Sequence, residues 1–131
     1  MKILLDTHTL LWALFDNEKL SPVSELLENT NNDIFVSVAS FWELEIKHKT
    51  NPQAMPYSAQ EIYSIVSSHT DFEILPISTS HIFNLGGFIE QNIHRDPFDH
   101  LLLSVALSDD LILLTHDEKI NKYRGVKLLF F

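Results

Sequence analysis

The sequence contains no cysteine, and among its 131 residues there are only three glycines and five prolines. Without cysteine there is no disulfide, no thiolate zinc site and no cysteine nucleophile, and this absence fits a reducing cytosol. So few glycines and prolines argue against long flexible linkers. We therefore expect one cytoplasmic domain spanning residues 1–131, which is long enough to bury a single core.

Positive charge is also scarce, since 9 lysines and arginines face 18 acidic residues and the net charge is −9. That balance excludes a general nucleic-acid coat protein, whose affinity comes mostly from basic side chains on phosphates. It leaves open an enzyme that meets phosphate through a metal, and it leaves open a basic protein partner. The longest apolar runs, such as residues 10–15, are far shorter than the ~20 residues of a membrane helix. Polar residues 6–9 interrupt the apolar start, so no signal peptide is expected.

Short apolar runs alternate with helical segments along the chain. The runs are continuously apolar, which is typical of a parallel sheet covered on both faces by helices. The predicted strands are residues 2–5, 34–38, 72–77, 111–115 and 126–131. The predicted helices are residues 7–15, 21–28, 40–49, 58–68, 78–85 and 97–108, with a helical turn at 117–122. Ser21-Pro22 is interpreted as a helix start, Ser58 and Glu61 as a capping box, and Gly86-Gly87 as a helix end.

Four carboxylates stand directly after apolar runs or on the helix that follows one: Asp6, Glu43, Asp99 and Asp117. In a parallel sheet the carboxyl ends of the strands meet at one edge, where open α/β folds build their sites. Several anions brought together there repel one another unless a cation joins them. Carboxylate oxygens are natural ligands of Mg²⁺ and Mn²⁺. The sequence therefore predicts a divalent-metal site formed by residues scattered along the chain.

Each of these carboxylates also has a purely structural interpretation. Asp6 and Asp117 could cap the helices that follow them, and Glu43 could pair with the lysine four residues on. Asp96 precedes a proline at a helix start, which is ordinary capping, and Asp99 would then be favoured by the helix dipole. The predicted convergence at one edge, rather than any single residue, supports the metal site.

Histidines and basic residues near the acidic positions form a weaker set of candidates. His94 and His116 could contact a substrate or transfer a proton, although such histidines are often surface or partly buried residues. Arg95 could hold a phosphate bidentately, or it could pair structurally with Asp96 or Asp99.

Four sequence blocks, LLDTHTLLWAL, VSVASFWELEIK, HRDPFDHLLLSVAL and LILLTHDEKINKY, occur in this order. Together they resemble PIN-domain ribonucleases, and more narrowly the VapC-type toxins of prokaryotic toxin–antitoxin pairs. The resemblance covers nearly the whole chain and implies a single PIN domain over residues 1–131. It implies a three-layer α/β fold with a mainly parallel sheet of about five strands and helices on both faces. It also implies a Mg²⁺- or Mn²⁺-dependent site that hydrolyses RNA, an antitoxin with a basic segment, and a homodimer.

By position, the resemblance assigns catalysis and metal binding to four residues: Asp6, Glu43, Asp99 and Asp117. Asp96 is a near neighbour that could ligate instead of Asp99, and Thr115 is expected to be the hydroxyl partner of Asp117. Arg95 is the expected substrate contact. His116 departs from the family, which often has arginine there, so one phosphate contact is expected to be missing.

Two other functions fit parts of the sequence. One is a catalytically silent PIN-like interaction module. The other is a phosphatase that forms an aspartyl-phosphate on Asp6, although His8 stands where a second aspartate would be expected. A metal-bound hydroxide would instead leave 3′-hydroxyl and 5′-phosphate ends, because no attack by the 2′-hydroxyl is required.

Overall fold

The computed structural model describes all residues from 1 to 131. Its five strands form one sheet in the order β3-β2-β1-β4-β5, and every neighbouring pair is parallel. The strands are β1 Lys2–Leu5, β2 Asp33–Ser37, β3 Glu73–Leu75, β4 Ile112–Thr115 and β5 Lys127–Phe130. The strand order reverses between β1 and β4, and such a switch point is where open α/β sheets place their sites.

Seven α-helices connect the strands. They are α1 Thr7–Phe15, α2 Ser24–Glu28, α3 Val38–Thr50, α4 Ala59–His69, α5 Thr79–Phe83, α6 Leu85–Ile89 and α7 Pro97–Ser108. Two 3₁₀ segments, Asn17–Val23 and Ile120–Lys122, complete the chain. None of the helices is both long enough and apolar enough to cross a membrane.

The core is divided by the sheet into two apolar clusters. Ile3 and Leu5 of β1 belong to one cluster, which includes residues of α1, α3 and α4. Leu4, between them, belongs to the other cluster, which includes residues of α6 and α7. Successive side chains of a strand point to opposite faces, so a continuously apolar strand buries both faces. The predicted three-layer α/β fold with a parallel sheet is confirmed.

Local signals predicted some helix ends correctly and others wrongly. The capping box is present: the Glu61 N–H donates to Ser58 Oγ at 3.2 Å and the Ser58 N–H to Glu61 Oε1 at 3.1 Å. The helix start at Ser21-Pro22 is wrong, because Pro22 lies inside the 3₁₀ segment and α2 begins at Ser24. Leu20 and Val23, three residues apart, are both buried there, and this spacing suits a three-residue turn.

The helix end predicted at Gly86-Gly87 is also wrong. Both glycines lie inside α6, and neither has the positive φ that a glycine at a helix end requires. The predicted helix of residues 78–85 instead breaks at Asn84 into α5 and α6. Phe88, only 2 % exposed, anchors α6 in the core. Burial of this side chain, rather than the glycine signal, accounts for the continuation of the helix.

Candidate active site

A cleft of about 140 Å³ lies at the carboxyl ends of β1 and β4, at the switch point of the sheet. Its lining residues are Asp6, Thr7, His8, Glu43, Lys47, Asp96, Asp99, Asp117 and Ile120. The four carboxylates predicted from the sequence, and Asp96 beside them, therefore face one cavity. They come from the ends of two strands, from α3 and from the start of α7.

Asp6 is 2 % exposed and lies directly after β1. Its Oδ1 accepts a hydrogen bond of 2.8 Å from the backbone N–H of Thr9, so the predicted cap of α1 is present. Its Oδ2 accepts a hydrogen bond of 2.6 Å from the hydroxyl of Thr115. Burial raises the pKa of this carboxyl, and the hydrogen bonds from Thr115 and Thr9 oppose that rise. Capping and a place in the cleft are therefore compatible for Asp6.

The hydroxyl of Thr115 contacts both Asp117, its predicted partner, and Asp6. Its hydroxyl donates to the carboxylate of Asp6, and its oxygen accepts a hydrogen bond of 3.0 Å from the backbone N–H of Asp117. Asp117 Oδ1 in turn accepts from the N–H of Lys119 at 2.8 Å. Thr115 therefore bonds to Asp117 through the backbone N–H of that residue, and its bond to Asp6 was not predicted. One hydroxyl joins the ends of β1 and β4, because these strands are neighbours in the sheet.

Glu43 reaches the cleft from α3 and is 8 % exposed. Its Oε1 accepts a hydrogen bond of 2.6 Å from the hydroxyl of Thr7, which also lies 3.0 Å from the hydroxyl of Ser40. Its Oε2 lies 3.2 Å from Lys47 Nζ, so the predicted pairing four residues along the helix is present. Lys47 is the only lysine or arginine that lines the cleft.

Asp99 is held by a network that the sequence did not reveal. His94 Nε2 lies 2.7 Å from Asp99 Oδ2, and His94 Nδ1 lies 2.7 Å from the hydroxyl of Tyr123. His100 Nε2 lies 2.9 Å from the same hydroxyl. The pKa of Asp99 is raised to about 7, mainly by burial; the hydrogen bond from His94 opposes this rise and the charge of Asp96 adds to it. Nothing in the local sequence marks Tyr123, because only the fold brings it beside α7.

Of the two candidate residues before Asp99, Asp96 lines the cleft and Arg95 lies on the surface. Asp96 caps α7 by accepting a hydrogen bond of 2.9 Å from the N–H of Phe98, and it also lines the cleft. Arg95 is exposed, does not line the cleft and forms no ion pair with Asp96 or Asp99. The structural ion pair considered for Arg95 is therefore not observed.

The PIN domain family profile matches residues 3–126, nearly the full length of the chain. The chain belongs to the PIN domain family. A search of curated proteins gave no match.

Three similar solved structures share the fold of this PIN domain over almost the whole length of both chains. VapBC2 from Rickettsia felis, bound to a DNA fragment from its promoter, is 20 % identical with a TM-score of 0.76, covering 100 % of this chain and 99 % of that one. DNA-bound VapBC from Salmonella typhimurium is 18 % identical with a TM-score of 0.72, covering 99 % and 98 %. VapBC-1 from nontypeable Haemophilus influenzae is 14 % identical with a TM-score of 0.70, also covering 99 % and 98 %.

The cleft of this PIN domain concentrates negative charge with little to neutralise it. Five carboxylates and one lysine line it, and the half-buried Lys47 pairs with only one of them, Glu43. No three acidic or histidine side chains lie close enough together to ligate one ion by themselves. The donor set nonetheless suits a hard divalent cation, because Mg²⁺ takes one or two carboxylates and keeps several of its waters.

Proposed function

We propose that this PIN domain is a metal-dependent endoribonuclease and the toxin of a toxin–antitoxin pair. The observation that supports it most strongly is the convergence of the buried Asp6 and the half-buried Asp99, whose pKa values are both raised, in a cleft that holds further carboxylates. A perturbed pair of this kind in a cleft is the usual mark of a functional site. A structural role alone does not require so much negative charge in one cavity.

Asp6, Glu43, Asp99 and Asp117 are the proposed metal-binding and catalytic residues, acting in part through bound waters. A bound Mg²⁺ or Mn²⁺ supplies the charge that polarises a phosphate and lowers the pKa of a water. Thr115 fixes the carboxylate of Asp6, as the hydroxyl of Thr7 fixes that of Glu43.

Asp96 supports the site by capping α7 and adding a further acceptor at the cleft wall. The carboxylate oxygens that line the cleft can accept hydrogen bonds from a water molecule and so orient it. Arg95, exposed just before α7, is the proposed phosphate contact.

RNA is the proposed substrate, and a protein antitoxin with a basic segment is the proposed partner. The net charge of −9 and the acidic cleft favour a partner of opposite charge. The structural relatives include several VapBC structures and FitAcB from Neisseria gonorrhoeae. We further propose a homodimer in the cytoplasm, as the resemblance to VapC-type toxins implies.

Cleavage of a defined single-stranded RNA with Mg²⁺, with Mn²⁺ and with EDTA tests the proposal. We expect cleavage only with a divalent ion, products with 5′-phosphate and 3′-hydroxyl ends, and no activity in Asp99→Asn. Asp71→Asn is the matched control, because it removes an exposed carboxylate at the opposite end of the sheet. Cleavage that persists in EDTA would overturn the metal requirement, and complete inactivity of a folded wild-type protein would favour the silent interaction module.

The phosphatase alternative is weakened by the surroundings of Asp6. Both of its carboxylate oxygens accept hydrogen bonds and the residue is 2 % exposed, which obstructs direct attack on phosphorus. Acid-stable labelling of Asp6 by a phosphate donor would restore that alternative.

A further inference from the structure

A second pocket, of about 210 Å³, lies next to the acidic cleft and has a different chemical character. Its lining residues are Asp6, His8, Trp12, His116 and Asp117. Asp6, His8 and Asp117 line both cavities, so the two adjoin each other. The remaining wall is made of ring side chains from α1 and from the segment after β4.

The rings of this pocket form one aromatic cluster. His8 and Trp12 lie four residues apart on α1, with ring centroids 6.3 Å apart, and Trp12 meets His116 edge-on at 5.5 Å. His116 stacks on Phe130 at 5.8 Å with only 8° between the ring planes. Lys19 Nζ lies 5.3 Å from the centre of the Trp12 ring. A positively charged group therefore stands beside the aromatic surface.

Packing of the core explains only part of this cluster. Trp12 is half-buried and contacts the apolar cluster on its face of the sheet, together with Phe131. His8 and His116 are exposed, so the core does not require their rings. His116 Nδ1 contacts the carbonyl oxygen of Phe131, which fixes the orientation of the exposed imidazole. The pocket therefore presents ring surfaces that are already ordered.

We propose that this pocket binds a nucleobase of single-stranded RNA, that of a nucleotide next to the scissile phosphate. The inference rests on the proposed ribonuclease function, because it requires a phosphate in the adjoining acidic cleft. A chain with a net charge of −9 gains little affinity from RNA phosphates. Stacking on aromatic rings does not depend on net charge and accepts every base, and it is worth about 1–3 kcal/mol per base.

Abasic RNA tests the subsite with the wild-type protein. A set of single-stranded RNAs of one sequence, each with one abasic nucleotide at a different position, is cleaved by the wild-type protein under single-turnover conditions with Mg²⁺, and the half-saturating protein concentration measures the affinity. We expect one position beside the cleaved bond to lower the affinity about 5- to 150-fold, the range for loss of one stacked base. In a Trp42→Phe background, RNA should quench the fluorescence of Trp12, and the RNA that is abasic at this position should not.

Substitutions in the protein test the same subsite. Trp12→Leu and His116→Leu should each weaken RNA binding, while Trp12→Phe should retain most of it. Phe83→Leu is the control, because Phe83 is 80 % exposed and lines neither cavity. His116→Leu removes an exposed ring, so we expect it to destabilise the fold less than Trp12→Leu, and urea unfolding of each variant checks that it is folded.

The outcomes separate this inference from the function on which it rests. If wild type cleaves RNA but no abasic position and neither Leu variant changes binding, the subsite is overturned and the ribonuclease stands. If wild type neither binds nor cleaves any RNA, both are overturned. A position-specific loss that disappears in the His116→Leu protein establishes the subsite.

Discussion

The two edges of the sheet carry the same kinds of acidic side chain in opposite surroundings. At the carboxyl edge, Asp6 and Glu43 are 2 % and 8 % exposed beside a cleft of only about 140 Å³. At the amino edge a larger cavity, about 400 Å³, is lined by exposed residues where β2 and β3 begin, among them Asp33 and Glu73. Cavity size alone would point to the wrong edge, whereas the burial of charge points to the candidate site.

Exposure to solvent explains why carboxyl groups at the two edges have pKa values shifted in opposite directions. At the amino edge Lys127 Nζ lies 2.8 Å from Asp110 Oδ1 and lowers the pKa of that exposed carboxyl. At the carboxyl edge burial raises the pKa of Asp6 and of Asp99. A buried carboxylate with little positive charge nearby destabilises the folded chain. A bound cation would therefore stabilise the carboxylates at the carboxyl edge more than those at the amino edge.

The largest effect is expected when a buried carboxylate is made neutral. Asp6→Asn should lower single-turnover RNA cleavage by about 10²–10³-fold or more, the loss typical of removing one preorganised charge-stabilising group. It should leave the metal-free protein as stable or more stable, because asparagine still caps α1 and no charge is buried. Cleavage assays and urea unfolding in EDTA measure the two quantities on the same protein.

Marked unfolding of Asp6→Asn in EDTA would show that the main role of Asp6 is structural. Asp33→Asn is the matched control at the amino edge, and neither quantity should change there.

The second-largest effect is expected in the pH dependence of the free energy of unfolding, through the carboxyl of Asp99. Its pKa is about 7 in the folded chain and 3.8 for an ordinary aspartate, so the folded state holds more protons between these values. The free energy of unfolding of the metal-free protein should therefore fall as pH rises from about 4 to about 7, and level off above. Affinity for Mn²⁺ should rise over the same range, because binding requires the ionised carboxylate.

The difference between the unfolding curves of wild type and Asp99→Asn isolates this contribution. Asp6 remains in both proteins, and its raised pKa gives a residual slope of the same sign. A difference that grows with pH in favour of wild type would contradict the raised pKa of Asp99.

What the sequence predicted well depends on local patterns. Continuously apolar runs identified the parallel sheet, and carboxylates directly after such runs, such as Asp6, met at its carboxyl edge. The capping box of α4 is local as well, and it was found. These predictions hold because helix caps and continuously apolar strands are decided by residues that are close together in the sequence.

What the sequence did not predict depends on long-range contacts. Thr115 bonds to Asp6, 109 residues away, and Tyr123 holds His94 from the segment before β5. Neither partner could be identified before the strand order was known. The helix end expected at Gly86 failed for a related reason, since burial of Phe88 in the core prevailed over a local preference.

A smaller effect is expected for the exposed arginine near the cleft. Arg95→Ala should weaken RNA binding and reduce the slope of log affinity against log salt by about 0.7–1, the loss of one phosphate contact. Mn²⁺ affinity should stay unchanged, because Arg95 touches none of the cleft carboxylates. Arg124→Ala is the control, as Arg124 is the only other arginine and lies outside the cleft. Equal RNA binding by Arg95→Ala and wild type would remove Arg95 from the substrate surface.

The smallest effect is expected when an aspartate at the amino edge of the sheet is replaced by asparagine. Asp110→Asn removes the ion pair with Lys127 at a position where φ is 54°, a conformation that asparagine also tolerates. Because the pair is exposed, solvent and salt already screen it, and both cleavage and the free energy of unfolding should match wild type. Side-by-side assays of Asp110→Asn and Asp99→Asn well above pH 7, where both aspartates are ionised, compare variants that change net charge equally at different locations. If both variants lost cleavage alike, net charge rather than the buried position of the carboxylate would control activity, and the contrast between the two edges would carry no functional meaning.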